Sequence, residues 1–299
     1  MTNGKAIRSH FFLFLVNFIY GANFLIAKMV MPAYILPTGF ILLRVLVTTL
    51  LFFGLAPFFK REKVDRKDIF LLICCGLSGV AINQVLFFKG LALTTPINAS
   101  IIMTATPILV LIAAAVFIKE KVTSKKIIGI LLGACGAVFL LALGKTISFN
   151  SETFRGDIYV FLNALSYGIF LVIVKPLMSK YHPLNIMKWV FLAGFFFVIP
   201  FGYEEFGAIQ WQQIPSTIWL AILYVVIGTT CIAYLLNIIA LQTTDPSIVS
   251  IYIYLQPLVA TMFALFYNQD HLSFLKIVSA LLIFAGVYLV SSGKKSIPA

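Results

Sequence analysis

Ten apolar segments, each about as long as a bilayer is thick, alternate with short polar stretches along this chain. They run over 10–31, 38–59, 69–91, 98–118, 127–144, 157–176, 184–202, 217–240, 247–267 and 275–291. A helix needs roughly 20 apolar residues to cross the hydrocarbon core of a membrane. Inside that core every backbone amide must find a partner within the protein, so segments of this length span as helices. Hydrophobic residues make up 61% of the 299 and charged residues 11%, against roughly 45–50% and 25% in an ordinary soluble domain. A soluble globule could not hide that much apolar surface. The expected fold class is an all-α integral membrane protein of ten transmembrane helices. A soluble enzyme, a disordered chain and a disulfide scaffold are excluded. The cysteines Cys74, Cys75, Cys135 and Cys231 all lie in apolar runs without metal-ligand spacing, and read as small packing residues.

Charge sets the expected orientation. The net charge is +12, which in a soluble protein would raise nucleic acid as a partner. Here the basic residues read as topology signals at the membrane surface, and no nucleic-acid partner is expected. With the N-terminus inside, the inner face receives Lys5, Arg8, Lys60, Arg61, Lys63, Arg66, Lys67, Lys119, Lys121, Lys125, Lys126, Lys175, Lys180, Lys188, Lys294 and Lys295. The outer face receives only Lys145, Arg155 and Lys276, while Lys28, Arg44 and Lys89 fall within spans. That 16-to-3 bias places both termini in the cytoplasm of a multi-pass protein of the inner (cell) membrane. The first segment follows Lys5 and Arg8 as a signal peptide would. It is too long for one, lacks a clear small-x-small cleavage site and has a counterpart later in the chain, so it is read as a retained span.

The two halves of the chain echo each other. Tyr20-Gly21 followed by Lys28 returns as Tyr167-Gly168 followed by Lys175, 147 residues on. Pro107, Glu120 and Gly136 return as Pro257, Asp270 and Gly286, at an offset of 150. The expected organisation is a five-helix unit over 1–146 and a second copy over 147–299. Five is odd, so the second copy enters the membrane upside down. Inverted repeats of this kind can rock about a midplane site and expose it to each side in turn, which is the behaviour of a secondary transporter. With both repeats in one chain, a monomer is sufficient.

The repeat carries specific motifs. The first half reads Ala-Leu-Thr-Thr-Pro-Ile-Asn-Ala-Ser from Ala92 to Ser100, then Thr106-Pro107, then Lys119-Glu120, then a helix through Gly129, Gly133 and Gly136. The second reads Ala-Leu-Gln-Thr-Thr-Asp-Pro-Ser-Ile-Val-Ser from Ala240 to Ser250, then Gln256-Pro257, then Asp270-His271, then Ala285-Gly286. This pattern resembles the EamA family of the drug/metabolite transporter superfamily over roughly 10–291. The resemblance implies ten helices, an inverted repeat with both termini inside, and export or exchange of small metabolites such as amino acids. One departure is Asp270, where the family often has glutamate. Small multidrug exporters of the same superfamily use a glutamate in their first helix to exchange protons for cations. Nothing acidic occurs from 11 to 31 here, which weighs against organic-cation export by that route, the alternative reading.

The residues themselves suggest where a solute would sit. Ser100, Thr104 and Pro107 follow i, i+4, i+7 on one helix face, and Ser250, Tyr254 and Pro257 form the matching stripe. The two prolines are expected hinges, since each removes a backbone hydrogen bond in mid-span. The two stripes would face each other across a central cavity; alternatively their hydroxyls bond back to helix carbonyls. Asn17, Tyr20 and Asn23 on the first helix, Asn163 and Tyr167 on the sixth, Asn83 and Phe87 on the third and Tyr234 on the eighth are further expected cavity residues. Amides are costly in hydrocarbon and must face partners, water or substrate. Phe24 is expected to add apolar wall. Arg44 is the deepest fixed charge, about seven residues inside the outer surface, with Lys28 and Lys89 near the same level. Gly129 and Gly133 mark close helix packing, and Glu120 reads as a boundary or salt-bridge residue. An intramembrane transferase would need a carboxylate, histidine or cysteine constellation, and the spans hold none suitable. No cofactor or metal is expected; the partners are a small-molecule substrate and the lipid bilayer.

Overall fold

The computed structural model describes residues 3–59, 62–142, 151–266 and 273–292, which form helices and, among the described residues, no strand. Lys145, Asp270 and His271 lie outside the described residues. Among the described residues, ten helices are long and apolar enough to cross a membrane: α1 (Ile7–Val30), α2 (Pro37–Phe58), α3 (Arg66–Leu93), α4 (Asn98–Phe117), α5 (Ser124–Leu141), α6 (Thr153–Ser179), α7 (Pro183–Gly207), α8 (Ser216–Thr243), α9 (Pro246–Phe263) and α10 (Phe274–Ser291). Their ends follow local chemistry. Prolines 37, 183 and 246 stand at helix starts, where the missing N–H is no loss. The helical run that begins at Pro96 is capped by Thr95, whose hydroxyl accepts the N–H of Asn98 at 3.1 Å.

The packing is built on antiparallel pairs. Helices α2 and α7 run antiparallel, with Gly39 against Glu205, Gly202 against Leu42 and Phe52 edge-on to Phe191 at 5.3 Å. Each also caps the other. The Glu205 carboxylate accepts the N–H groups of Thr38 and Gly39 at 2.7 and 3.0 Å, where α2 begins. Glu62, just past the end of α2, accepts the N–H of His182 at 2.8 Å, where α7 begins. A carboxylate at a helix start meets unpaired donors and the positive end of the helix dipole. Helices α5 and α10 pair antiparallel through glycine: a Cβ on Gly286 would lie 2.5 Å from the Gly129 carbonyl oxygen. Helix α3 packs on α6, and α1 on α8.

Among the described residues, four helices are irregular in mid-span, in matched places. Helix α3 widens to a π-helix over Leu77–Ile82, and α8 does so over Tyr224–Ile232. Helix α4 breaks at Thr104 and Ala105, between Pro96–Met103 and Thr106–Phe117. Helix α9 turns to a 3-10 helix over Tyr252–Tyr254 before resuming at Leu255. The prolines therefore stand just past these breaks, rather than as kinks in continuous helices. Pro107 sits in the first turn of the resumed helix, where its absent N–H leaves no gap in the ladder. The two breaks touch: the Tyr254 hydroxyl donates to the Thr104 carbonyl at 3.0 Å, and its ring lies over Gly133.

Candidate functional site

A cavity of about 100 Å³ lies between α1, α2, α3, α4, α6, α8 and α9. One buried water needs roughly 10–15 Å³ on that measure, so the space suits a small metabolite. Helix α1 contributes Asn17, Tyr20 and Asn23 to the wall, and α3 contributes Asn83, Gln84, Phe87 and Phe88. Asn163 and Tyr167 come from α6, Tyr234 and Asn237 from α8, and Gln256 from α9. Arg44 reaches in from α2 and Met103 from α4.

The π-helical turns shape this wall. A π turn carries an extra residue and displaces carbonyls from the regular ladder. In α3 the displaced carbonyls accept from side chains. Ser166 donates to the Ser78 carbonyl at 2.7 Å, and the Asn163 amide donates to the Asn83 carbonyl at 2.7 Å. The Tyr234 hydroxyl lies 3.1 Å from both the Gly79 carbonyl and Asn83 Oδ1, and its one proton can serve either. Across the cavity the Asn237 amide donates to the Tyr167 hydroxyl. The Gln256 amide donates to Asn17 Oδ1 at 2.9 Å, and the Asn17 amide donates to the Leu13 carbonyl at 2.8 Å.

The π-helical turn of α8 holds Arg44. The hydroxyls of Thr229 and Thr230 both donate to the Val225 carbonyl, at 2.6 and 2.9 Å. Their protons are thereby committed, so both hydroxyl oxygens are left as acceptors. Arg44 Nε donates to Thr230 at 2.9 Å, and Nη2 lies 3.4 Å from Thr229. The guanidinium carbon stands 4.6 Å from the Phe88 ring centre and 5.9 Å from that of Phe40, a placement that favours a cation. Arg44 is only 4% exposed, its Nη1 has no partner, and it forms no ion pair among the described residues. A buried charge facing only neutral groups is costly. Other cavity residues also keep an unpartnered buried acceptor, among them Asn23, Asn163 and Asn237 at Oδ1 and Gln84 at Oε1.

The cavity thus gathers Asn17, Tyr20, Asn23, Arg44, Asn83, Phe87, Asn163, Tyr167 and Tyr234. It does not gather Ser100, Thr104, Ser250 or Tyr254, which corrects the expectation of two hydroxyl stripes facing the solute. The Thr104 hydroxyl donates to the Ile101 carbonyl at 2.6 Å and Ser250 to the Ser247 carbonyl at 3.1 Å. A short hydroxyl on a helix reaches its own preceding turn more easily than a central space. Tyr254 ties the two helix breaks together, and Ser100 is half-buried on α4. Lys28 and Lys89 do not line the cavity either, so its positive charge is that of Arg44. Lys28 is exposed, and Lys89 lies 5.9 Å from the Phe201 ring centre. The Phe24 side chain falls outside the described residues. Sequence reasoning missed Gln84, Asn237 and Gln256. Each is an amide deep in a span, the same signal that picked out Asn83 and Asn163.

Polar contacts tie one end of the bundle. Glu120 pairs with Lys126 at 2.5 Å, and Lys126 lies 3.5 Å from Asp245, all three largely buried. Glu120 is thus a salt-bridge residue, but its partner is Lys126 rather than the flanking lysines. Lys175 Nζ donates to the carbonyls of Leu241 and Thr244 at 2.6 and 2.7 Å. The hydroxyls of Ser9 and Thr243 are 2.5 Å apart, joining α1 to α8 at the same end. By the internal repeat, the counterpart of Asp245 at the opposite end is Thr95, which carries no charge.

Comparison with known proteins places this architecture. The model of the EamA-like transporter family matches residues 7–142 and again residues 154–292. An "Uncharacterized transporter" of Archaeoglobus fulgidus is 26% identical over 95% of this chain and 98% of its own length. A WAT1-related protein of Arabidopsis thaliana is 28% identical over 92% of this chain and 80% of its own. A protein of Streptantibioticus cattleyicolor named "Probable terminal-alkyne amino-acid exporter" is 25% identical, covering 75% of this chain and 74% of its own. One solved crystal structure shares the fold with a TM-score of 0.73 at 17% identity, over 94% of this chain and 98% of its own.

Proposed function

Because the chain belongs to the EamA-like transporter family, a multi-pass membrane family of the drug/metabolite transporter superfamily, we propose that it is a secondary transporter that exports a small amino acid or related carboxylate. The observation that carries this reading is Arg44: a buried guanidinium on the cavity wall with one nitrogen unpartnered and no carboxylate facing it. A carboxylate would supply the missing charge and accept two parallel hydrogen bonds from the guanidinium fork. The amide oxygens of Asn23, Asn163 and Asn237 offer acceptors for an ammonium group, and Phe87, Phe88 and Met103 offer apolar wall for a side chain. An organic cation suits this cavity poorly, since Arg44 would repel it. The test is thermal stability in detergent across a panel of amino acids and their amides. The free acids should raise the melting temperature and the amides should not; equal shifts would remove the carboxylate from the argument.

Alternating access belongs to the same proposal. The antiparallel pairings of α2 with α7 and α5 with α10 are those of helices with their own counterparts, which supports two inverted repeats over 1–146 and 147–299. With both termini in the cytoplasm of the inner membrane, the end tied by Glu120, Lys126 and Asp245 would be the cytoplasmic one, and these ion pairs would hold it shut. Breaking a buried ion pair by removing one partner costs about 3–5 kcal/mol. Lys126→Met should therefore loosen that end. In a background without native cysteines, a cysteine at Val249 in Lys126→Met should label from the cytoplasmic side at least about tenfold faster than with Lys126 intact. An unchanged rate would remove the cluster from the gate.

Pro107 and Pro257 serve as hinges in this cycle. Each stands just past a break in its helix, and proline keeps the regular ladder from closing over that break. Pro257→Ala restores an N–H and favours a continuous helix. We expect it to slow transport several-fold with substrate affinity unchanged, as read from exchange rates and binding on the same preparation. Equal transport would leave Pro257 a packing residue.

A further inference from the structure

A second concave site lies apart from the central cavity, at the seam where α2 ends and α7 begins. Its volume is about 420 Å³, and it shares no lining residue with the central cavity. Ala56, Pro57 and Leu184 line it together with Lys63, Lys188, Phe53, Phe59 and His182. Lys63 is exposed, and Lys188 Nζ lies 5.8 Å from the Phe53 ring centre and 5.3 Å from that of Trp189. Neither lysine forms an ion pair among the described residues. One carboxylate, Glu62, also lines the site, and it is engaged: it accepts from the His182 N–H at 2.8 Å and faces the Asn185 amide at 3.4 Å.

The surroundings are apolar on one side and basic on the other. Phe53 is 38% exposed and Trp189 37%, aromatic side chains of the kind that settle at a membrane surface. The first turn of α3 adds Arg66 and Lys67, both exposed. A site with two lysines outside any ion pair among the described residues, opening onto exposed aromatic side chains, matches the two ends of one molecule. We propose that this groove binds the phosphate of an anionic phospholipid, with Lys63 and Lys188 on the phosphate and the acyl chains running along Phe53 and Trp189. A basic site between helices on the membrane surface attracts anionic headgroups by about 1 kcal/mol per lysine, or roughly fivefold in affinity each. Free phosphate shares the charge but has no use for the aromatic rim, so the lipid is the occupant the site fits.

The full chain, purified in neutral detergent, is titrated with phosphatidylglycerol, with phosphatidylcholine of the same acyl chains, and with inorganic phosphate. Melting temperature and retained lipid by native mass spectrometry are read together. Phosphatidylglycerol should raise the melting temperature and leave a bound lipid, while phosphatidylcholine and inorganic phosphate should do neither. Lys63→Gln with Lys188→Gln should weaken phosphatidylglycerol binding about 25-fold, with the melting temperature in phosphatidylcholine unchanged. Lys125→Gln, an exposed lysine at the start of α5, should bind as the parent does, and Lys63→Arg with Lys188→Arg should keep the lipid. Equal shifts with both lipids, full retention by the glutamine variant, or a matching shift with inorganic phosphate alone would each overturn the proposal. None of these readouts requires transport, so failure here leaves the reading of the central cavity intact.

Discussion

Arg44→Lys should bind the transported solute about 10- to 100-fold more weakly than the parent and still fold, and Arg44→Ala should lose more. Hydrogen bonds to charged groups contribute roughly 1.5–3 kcal/mol each, and lysine cannot reproduce the parallel pair that a guanidinium makes with a carboxylate. The cavity has no second cation to compensate among its described lining residues. The competing role for Arg44 is structural, since it also joins α2 to the π-helical turn of α8 through Thr229 and Thr230. Two readouts separate the roles. Reduced affinity at an unchanged melting temperature assigns Arg44 to the solute. A lower melting temperature with unchanged affinity assigns it to the scaffold.

Gly286→Ala should destabilise the protein by about 3 kcal/mol or more, while Gly54→Ala should stabilise it by about 0.5–1 kcal/mol. The change is the same methyl group in both cases. At Gly286 it would meet the Gly129 carbonyl oxygen at 2.5 Å and the Gly133 nitrogen at 2.7 Å. Those are backbone atoms, which cannot rotate aside, so α5 and α10 must separate along their seam. At Gly54 the methyl meets nothing within 4 Å, and alanine simply favours the helix. Thermal unfolding of both variants in one detergent checks the pair. A tolerated Gly286→Ala would mean that the seam is far looser than it stands here.

The spans were legible because an unbroken apolar run of sufficient length has one structural outcome in a bilayer. That α5 packs closely through Gly129 and Gly133 was legible for a related reason, since small residues at helical spacing let backbones approach, but its partner α10 was not. Arg44 and the asparagines stood out because polar groups in hydrocarbon need a cause. Applied to every deep amide, the same rule would have added Gln84, Asn237 and Gln256. The hydroxyl residues misled because serine and threonine can satisfy themselves on their own helix, as Thr104 and Ser250 do. Lys28 and Lys89 stand off the cavity because a long side chain follows the surface, so depth in sequence is not depth in the protein. The π-helical turns at Leu77–Ile82 and Tyr224–Ile232 left no mark in the apolar pattern. One extra residue in a turn changes no hydropathy, yet it frees the carbonyls and positions the hydroxyls that build the wall.

Counterflow in proteoliposomes tests the central claim most directly. Vesicles holding purified protein are loaded with unlabelled amino acid and diluted into a trace of the labelled form, across a panel of amino acids, their amides and their decarboxylated amines. The account predicts transient accumulation of at least one free amino acid in vesicles with the parent protein, little in vesicles with Arg44→Lys, and none of the corresponding amide or amine. Accumulation of the amine as strongly as the acid, or equal accumulation by the parent and a well-folded Arg44→Lys, would contradict it.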